Sequence, residues 1–210
     1  MMPDVTNQTA EEFWQEIYDR ASSESSGRPS QILETFAKDR PTGQALDLGC
    51  AKGDDAVWLA KNGWQSLGVD IAAAAIKIST QNASRNGVAD RARFERHDLS
   101  KSFPVGTFDL VSGMFLQTPF RFPRRTIMQR AAQAVRPNGL LLMATHQTLA
   151  PWSWSDPDTN HPDALARLAD MQLDPRDWRQ IHVGPIERIA VGKDGQSATV
   201  VDAVVALERL

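Results

Sequence analysis

The stretch ALDLGCAKGDD, residues 45–55, joins an apolar run of strand length to a turn with two glycines and an alanine. Gly49, Ala51 and Gly53 stand at alternate positions of the turn, and the acid Asp47 lies inside the preceding run. Glycine allows a sharp turn and a close approach of the backbone to a ligand. The stretch therefore predicts a ligand-binding loop between a strand and a helix.

Outward from this loop, apolar runs of strand length alternate with helical patterns. The strand-like runs are ALDLG, WQSLGVD, RARFERH, TFDLVSGM and GLLLMATH, and the helical patterns cover residues 54–62, 72–86 and 123–136. This alternation predicts an α/β fold, a parallel sheet with helices on both faces. Two further runs, WRQIHVGPIERIAV and SATVVDAVVALER, are joined only by GKDGQ, which is too short for a crossover helix and predicts an antiparallel hairpin.

Ahead of the sheet, Thr9 and Glu12 have the spacing of a capping box, which predicts the start of a helix. Its apolar stripe consists of Phe13, Trp14, Ile17 and Tyr18. A second helix is predicted to begin at Pro29. We expect one domain with four parts, which are a helical cap (residues 1–42), a cofactor-binding core (43–146), a substrate-side loop and helix (147–178) and a C-terminal hairpin (179–210).

Composition sets broad limits on function. The 210 residues are 41% apolar and 23% charged, with a net charge of -3, as expected of a soluble globular domain that does not attract nucleic acid. No signal-peptide pattern and no apolar run of about 18 residues is present, so we expect a cytoplasmic protein without membrane contact. Cys50 is the single cysteine, which excludes an intramolecular disulfide and a cysteine metal cluster, and no metal site is predicted.

The loop is compared with three known ligand patterns. A Walker loop would end in Gly-Lys-Ser/Thr, whereas Gly53 is followed by two acids that would repel a triphosphate. A dinucleotide fingerprint would have a third glycine where these acids stand, so that pattern is disfavoured but stays open. In the third pattern Asp70, about 20 residues on at the end of the second strand, holds two ribose hydroxyls. Asp47 then needs a cation, and the helix start can take a carboxylate. S-adenosylmethionine has all three groups.

The motifs ALDLGCAKGDDAVWLA, GVD, HDL, FDLVSG and RPNGLLLMATH, in this order, resemble those of class I S-adenosylmethionine-dependent methyltransferases. The resemblance covers residues 14–210 and is strongest to the small bacterial tellurite-resistance and thiopurine-type enzymes. It implies a Rossmann-like, seven-stranded, mostly parallel sheet of order 3-2-1-4-5-7-6 with the last strand antiparallel.

The resemblance also implies roles for single residues. The methionine moiety would lie on the loop of Asp47, Gly49, Cys50, Ala51 and Gly53, and beside the segment from Met114 to Gln117. Asp70 with Ile71 would bind the ribose, and Asp98 with Leu99 the adenine. Ala51 and Lys52 depart from the family pattern, where a glycine and a frequent acid stand. A methyl group at Ala51 takes space and backbone freedom beside the ligand, which can weaken cofactor binding.

Methyl transfer from a sulfonium needs alignment rather than a covalent intermediate. Cys50, inside the turn, is poorly placed as a nucleophile, and SGMF stands where adenine-N6 enzymes carry [DN]PP[YW]. A hydroxyl or amine acceptor needs a base, for which His146 at the end of the fifth strand is the candidate, and its alternative role is packing or capping. A thiolate, selenolate or telluride-like acceptor needs no base. His97 is read as a structural residue or as part of the adenine edge.

Other candidates each have two interpretations. Arg28 pairs with the cofactor carboxylate or an anionic substrate, or is simply exposed. Trp14 and Tyr18 roof the cofactor, with Tyr18 at the substrate pocket beside Gln117, or pack on the sheet. Trp152 and Trp154 form a lid over the acceptor, or fold down on a surface loop. RFPRR, residues 121–125, attracts an acidic acceptor or forms the solvated first turn of a helix.

Together these observations predict a monomeric or homodimeric methyltransferase that uses S-adenosylmethionine and a small-molecule acceptor at a sulfur, selenium or tellurium, nitrogen or oxygen atom. Two other classes stay open. One is a sensor that binds S-adenosylmethionine or its demethylated product without catalysis, and the other is an NAD(P)-dependent oxidoreductase.

Overall fold

The computed structural model describes residues 7–22, 25, 27–153, 161–192 and 194–210. The strands of this part of the chain are β1 (Gln44–Leu48), β2 (Gln65–Asp70), β3 (Ala92–Arg96), β4 (Phe108–Met114), β5 (Val135–His146), β6 (Trp178–Val191) and β7 (Ser197–Arg209). The helices are α1 (Ala10–Arg20), α2 (Gln31–Ala37), α3 (Asp54–Lys61), α4 (Ala73–Arg85), α5 (Arg124–Gln133) and α6 (Ala164–Met171), and a short 3-10 helix, Pro175–Asp177, precedes β6.

The strands form one sheet of order β3-β2-β1-β4-β5-β7-β6. Neighbours from β3 to β5 pair in parallel, while β7 pairs antiparallel with both β5 and β6. The predicted Rossmann-like order and the C-terminal hairpin are both confirmed. The carboxyl ends of β1, β2, β4 and β5 therefore lie along one edge of the sheet, where open α/β sheets bind ligands.

Buried side chains on β5 alternate between two apolar cores. Leu141 and Met143 pack in the core with Ile127 of α5. Leu140 and Leu142 pack on the opposite face with Leu33 of α2. A strand that is covered on both faces reads as a continuous apolar run, as GLLLMA does here.

Two predicted boundaries are wrong. RPNG does not end the helix at residue 136, because α5 ends at Gln133 and β5 already begins at Val135. Asn138 takes a left-handed conformation (φ 64°), and the pairing of β4 with β5 shifts register just there, so the turn residues produce an irregular strand start. The second helix begins at Gln31 rather than Pro29, after Ser30, whose N–H donates to Asp55 at 2.6 Å.

The N-terminal helix begins with the predicted capping box. The N–H of Glu12 donates to Thr9 Oγ1 at 3.2 Å, and the N–H of Thr9 donates to Glu12 Oε2 at 2.8 Å. Of the predicted stripe, Phe13 is buried, Trp14 and Tyr18 are half-buried, and Ile17 is exposed. The side chain of Gln15 accepts from the N–H of Ala74, which fixes α1 over the start of α4.

No helix in the described ranges has both the length and the apolar character that a membrane crossing requires.

Candidate functional site

The glycine turn wraps closely over the end of β2. The N–H groups of Gly49 and Cys50 both donate to the carbonyl of Val69, at 2.8 and 2.9 Å. Gly49 has φ 75°, and a Cβ there would lie 2.7 Å from Leu116 Cδ1. Gly53 has φ 81° and directly precedes α3. Both positions therefore favour glycine by backbone conformation, and each also by a close neighbour that a Cβ would meet, which is Leu116 at Gly49 and Ser79 at Gly53.

Ala51 occupies a left-handed conformation, φ 51°, that glycine adopts without strain. This conformation costs a residue with a Cβ about 1–2 kcal/mol. We expect Ala51→Gly to raise the free energy of unfolding by about 0.5–1 kcal/mol, because the greater entropy of glycine in the unfolded chain offsets part of the relieved strain. Urea unfolding of both proteins measures the difference. A loss of stability would show that the loop holds Ala51 without strain.

The acid at the end of β2 is anchored by the turn. Asp70 is 8% exposed and accepts the N–H of Ala51 at 3.1 Å and that of Ala72 at 3.0 Å. Burial raises its pKa. A carboxylate accepts about four hydrogen bonds, so Asp70 retains capacity for two more donors.

The acid of β1 is buried, with one weak hydrogen-bond partner among the residues that the structure describes. Asp47 is 3% exposed, and the hydroxyl of Ser112 donates to it at 3.5 Å. Burial, and then the charges of Asp55 and Asp70, hold its pKa well above the usual range. A carboxyl group in this position favours a nearby cation, since a positive charge would offset both the burial and the two like charges.

The acids that follow the turn bind the segment before α2. The N–H of Gly27 donates to Asp54 at 2.9 Å, and the Ser25 hydroxyl also donates to Asp54. The N–H of Ser30 donates to Asp55. These acids, which argued against a phosphate ligand, therefore hold Ser25, Gly27 and Ser30 beside the loop.

Burial raises the pKa of Asp55 to about 6. An acid whose pKa is higher in the folded state stabilises the fold below its unfolded value, near 4, and loses that contribution as the pH rises through 6. We expect the free energy of unfolding to fall by about 2 kcal/mol from this group between pH 4 and 7, somewhat less than the full shift implies because neighbouring carboxyls titrate with it. Urea unfolding of the native protein and of Asp55→Asn at both pH values tests this, and an equal pH dependence in the two would contradict it.

A cleft of about 150 Å³ lies at the carboxyl edge of β1, β2 and β4. Eight of the predicted site residues line it, namely Trp14, Tyr18, Gly49, Asp70, Ile71, Asp98, Leu99 and Gln117. The ring of Trp14 stacks on Tyr18 at 6.3 Å, and its indole N–H donates to the Thr118 hydroxyl at 3.3 Å. The indole and phenol of α1 thus form a wall of this cleft.

The loop after β4 supplies much of the rest of the lining, of which the sequence prediction reached only residues 114–117. Phe115, Leu116, Thr118, Phe120 and Phe122 line the cleft. The sequence signal for this wall was the presence of three phenylalanines in a short connection between a strand and a helix. Such a loop has to bury these side chains against the rest of the protein. Phe13 of α1 packs against Phe120 with ring centroids 5.5 Å apart, so helix and loop enclose the cleft together.

Other predicted residues lie outside the cleft lining. Cys50 is buried, and burial raises the pKa of its thiol well above normal, as expected of a residue that is not a nucleophile. Arg28 is exposed, and Met114 is half-buried at the end of β4. His146 and Trp152 line a separate depression beside the hairpin. Trp154 lies outside the described residues.

His146 has a buried acidic partner that was not predicted. Asp202 of β7 is opposite His146 in the register, and its Oδ1 lies 3.1 Å from His146 Nδ1. Arg188 Nε donates to the other oxygen at 2.6 Å. The Phe115 ring, on a residue with φ 58°, stacks on the imidazole at 4.4 Å, and the Arg188 guanidinium lies 5.2 Å from the same ring. Phe115 contacts His146 and also lines the cleft.

The sequence signal for the buried role of Asp202 was its place as the lone acid in the apolar run SATVVDAVV.

The cleft fits S-adenosylmethionine in its donors, acceptors and charge. Asp70 has free acceptor capacity for ribose hydroxyls, and Trp14 and Tyr18 present aromatic faces. Asp47 of β1, which lies outside the cleft lining, favours a cation. Together with the strand order, these features define a class I S-adenosylmethionine-dependent methyltransferase fold.

The chain belongs to the family described as "Methyltransferase domain", whose model matches residues 15–183. Among curated proteins, it is 31% identical over 138 residues to "Ribosomal RNA small subunit methyltransferase C" of Alcanivorax borkumensis, covering 62% of this chain and 40% of that protein. It is 35% identical over 97 residues to "Ribosomal protein L11 methyltransferase" of Pasteurella multocida, covering 46% and 31%. The chain thus spans less than half the length of these curated relatives.

Solved structures show the same fold over nearly the whole chain. One, described as "Conversion of a Disulfide Bond into a Thioacetal Group during Echinomycin Biosynthesis", has a TM-score of 0.73 and 20% identity, covering 96% of this chain and 92% of that chain. TehB from Haemophilus influenzae has a TM-score of 0.66 and 12% identity, covering 96% and 68%. The predicted family is confirmed.

Proposed function

We propose that this protein transfers a methyl group from S-adenosylmethionine to a small-molecule acceptor. The observation that carries the proposal is the cleft that the acid at the end of β2, the aromatic residues of α1 and the loop after β4 line together. Bound S-adenosylmethionine supplies an activated methyl on a sulfonium. The protein then has to align the acceptor and exclude water.

Each part of the cleft has a proposed role in holding the cofactor. Asp70, followed by Ile71, accepts the ribose hydroxyls, and Asp98 with Leu99 contacts the adenine. The turn from Gly49 to Gly53, including Cys50 and Ala51, would hold the methionine moiety with Asp47 and Met114. Trp14 would cover the sulfonium with an aromatic face, while Tyr18 and Gln117 would contact the acceptor. Arg28 and Trp152 lie outside the cleft lining. Arg28 would contact the cofactor carboxylate, and Trp152 the acceptor, only after the segments that carry them move toward the cleft.

The packing of α1 against the loop after β4 favours a small acceptor over a macromolecule. Phe13 and Trp14 of α1 pack against the loop after β4, which narrows the opening. The net charge of -3 gives no general attraction for RNA phosphates. The named relatives methylate ribosomal RNA or protein, but this chain covers 40% or less of their length. We also propose cytoplasmic action, without a membrane or nucleic-acid partner, as a monomer or homodimer.

His146 is proposed as the base for hydroxyl or amine acceptors. Asp202 fixes one ring nitrogen, which leaves Nε2 to take a proton. Because Phe115 stacks on the imidazole, the acceptor has to approach past its ring. We expect His146→Gln to lower turnover of a phenol at least tenfold and that of a thiol at pH 9 less than twofold, since a thiolate needs no base. Equal losses for both acceptors would contradict a role as base.

A cofactor-depletion screen tests the proposed function. Thiol, selenite, tellurite, phenol and amine acceptors are compared with ribosomal RNA and ribosomal protein L11, and S-adenosylhomocysteine formation is measured. Turnover with a small acceptor supports the proposal. Turnover confined to RNA or protein would overturn it, and tight cofactor binding without any turnover would favour a sensor. Binding of NAD(P) without S-adenosylmethionine binding would favour an oxidoreductase.

A further inference from the structure

A second, smaller cavity lies between α5, α6 and the carboxyl ends of β4 and β5. Its apolar wall is formed by Gly113, Met128, Met143, Met171, Ala203 and Val205. Two arginines, Arg124 and Arg167, face the same space, together with Thr145, Asp170 and Leu116. Leu116 also lines the cofactor cleft, so the two cavities share this side chain in their walls.

Arg124 Nη1 donates to the Leu116 carbonyl at 3.0 Å, but two other polar groups of this cavity lack the partners that buried groups normally have. Thr145 is 7% exposed, and its Oγ1 has no hydrogen-bond partner in the described part of the chain. The same holds for the buried Nε of Arg167. A buried hydroxyl or guanidinium N–H that bonds to nothing costs about 1–3 kcal/mol. Two such groups lining one small space point to a ligand that accepts hydrogen bonds.

The positive charges of the cavity also favour an anionic ligand. Within the described ranges, neither Arg124 nor Arg167 has a carboxylate within salt-bridge distance. Asp170, the acid of this cavity, is bound instead by Arg125, whose Nη2 donates to it at 3.0 Å. Burial, and then the charge of Arg167, lowers the pKa of Arg124 to about 10, while the charge of Asp170 acts in the opposite direction on the pKa of both arginines. An anion between the two guanidiniums would relieve both effects.

We propose that this cavity binds a carboxylate group of the methyl acceptor, with Arg167 and Thr145 as its donors and Arg124 as a second positive charge. The proposal rests on the proposed methyl transfer. The space is about 20 Å³, enough for one water-sized group, so binding of a planar carboxylate requires the Leu116 side chain to move aside. Since Leu116 contacts the region of Gly49, an acceptor held here by its carboxylate would extend past Leu116 toward the cofactor cleft.

Paired acceptors that differ only in the carboxylate test this. We compare 2-mercaptobenzoate with thiophenol for the native enzyme, Arg167→Gln, and Arg130→Gln, a matched control on α5 outside the cavity lining. Arg167→Gln is expected to raise KM for 2-mercaptobenzoate about 10- to 100-fold, the range for a lost charge-assisted hydrogen bond, and that for thiophenol less than twofold. Arg130→Gln should change neither. Equal KM increases for both acceptors, or a native enzyme indifferent to the carboxylate, would overturn the proposal.

A binding measurement separates this proposal from the proposed function. Benzoate is titrated by calorimetry into each protein in the presence of S-adenosylhomocysteine. If no acceptor is turned over, the proposed methyl transfer is wrong. The carboxylate site is still supported in that case if Arg167→Gln binds benzoate at least tenfold more weakly than the native protein. Absence of benzoate binding to the native protein, or equal binding to both, overturns it. Thermal unfolding of Arg167→Gln verifies that the variant folds.

Discussion

Asp70→Asn is expected to weaken binding of S-adenosylmethionine about 100-fold. The carboxylate has two backbone donors, the N–H groups of Ala51 and Ala72, and would accept two ribose hydroxyls as well. Charge-assisted hydrogen bonds contribute about 1.5–3 kcal/mol each, so losing the charge and one acceptor should cost about 3 kcal/mol. Calorimetric titration with S-adenosylmethionine and with S-adenosylhomocysteine measures the loss.

The same substitution should leave the unliganded fold nearly unchanged. Burial already raises the pKa of Asp70, so a neutral side chain is tolerated, and the variant loses about one backbone hydrogen bond, worth about 1 kcal/mol. Asp90→Asn, on an exposed acid, is the control and should bind the cofactor as the native protein does. An affinity of Asp70→Asn within threefold of the native value would exclude Asp70 as the ribose ligand.

Much of the fold could be predicted from periodicity and spacing. The turn around Gly49 and Gly53, the acid at the end of β2 and the short link in the C-terminal hairpin are local features, and each forms the structure it predicted. Asp70, Ile71, Asp98 and Leu99 meet in one cleft because strand ends in a parallel sheet lie at one edge. Strand order itself came from the family resemblance.

The unpredicted parts depend on contacts between distant segments. Asp202 lies beside His146 only because β7 pairs with β5 in a register that places the two residues opposite each other. Arg124 was read as either the solvated first turn of a helix or an attractor of acidic acceptors, and the packing of α6 against α5 half-buries it. The position of the Phe115 ring between His146 and the cleft also depends on a strained backbone conformation that no sequence pattern predicts.

Asp202→Ala is expected to lower the free energy of unfolding by about 3–5 kcal/mol. Asp202 is fully buried and accepts from Arg188 at 2.6 Å while contacting His146 at 3.1 Å. Removing the carboxylate leaves the Arg188 charge without its partner, which costs more than the ion pair itself contributes. For a domain of this size the melting temperature should fall by about 10 °C, which calorimetry or circular dichroism measures.

A double variant separates the loss of a pair from the loss of packing. Asp202→Leu combined with Arg188→Met removes both charges and fills the space with apolar groups, so it should recover most of the stability lost by Asp202→Ala. Glu16→Ala, which breaks the exposed pair with Arg20 on α1, is the surface control and should cost less than 1 kcal/mol. If the double variant is as unstable as Asp202→Ala, the position needs its carboxylate rather than charge balance. The contact of Asp202 with His146 and that of Arg188 with the Phe115 ring would then be the structural requirements, because the double variant restores neither.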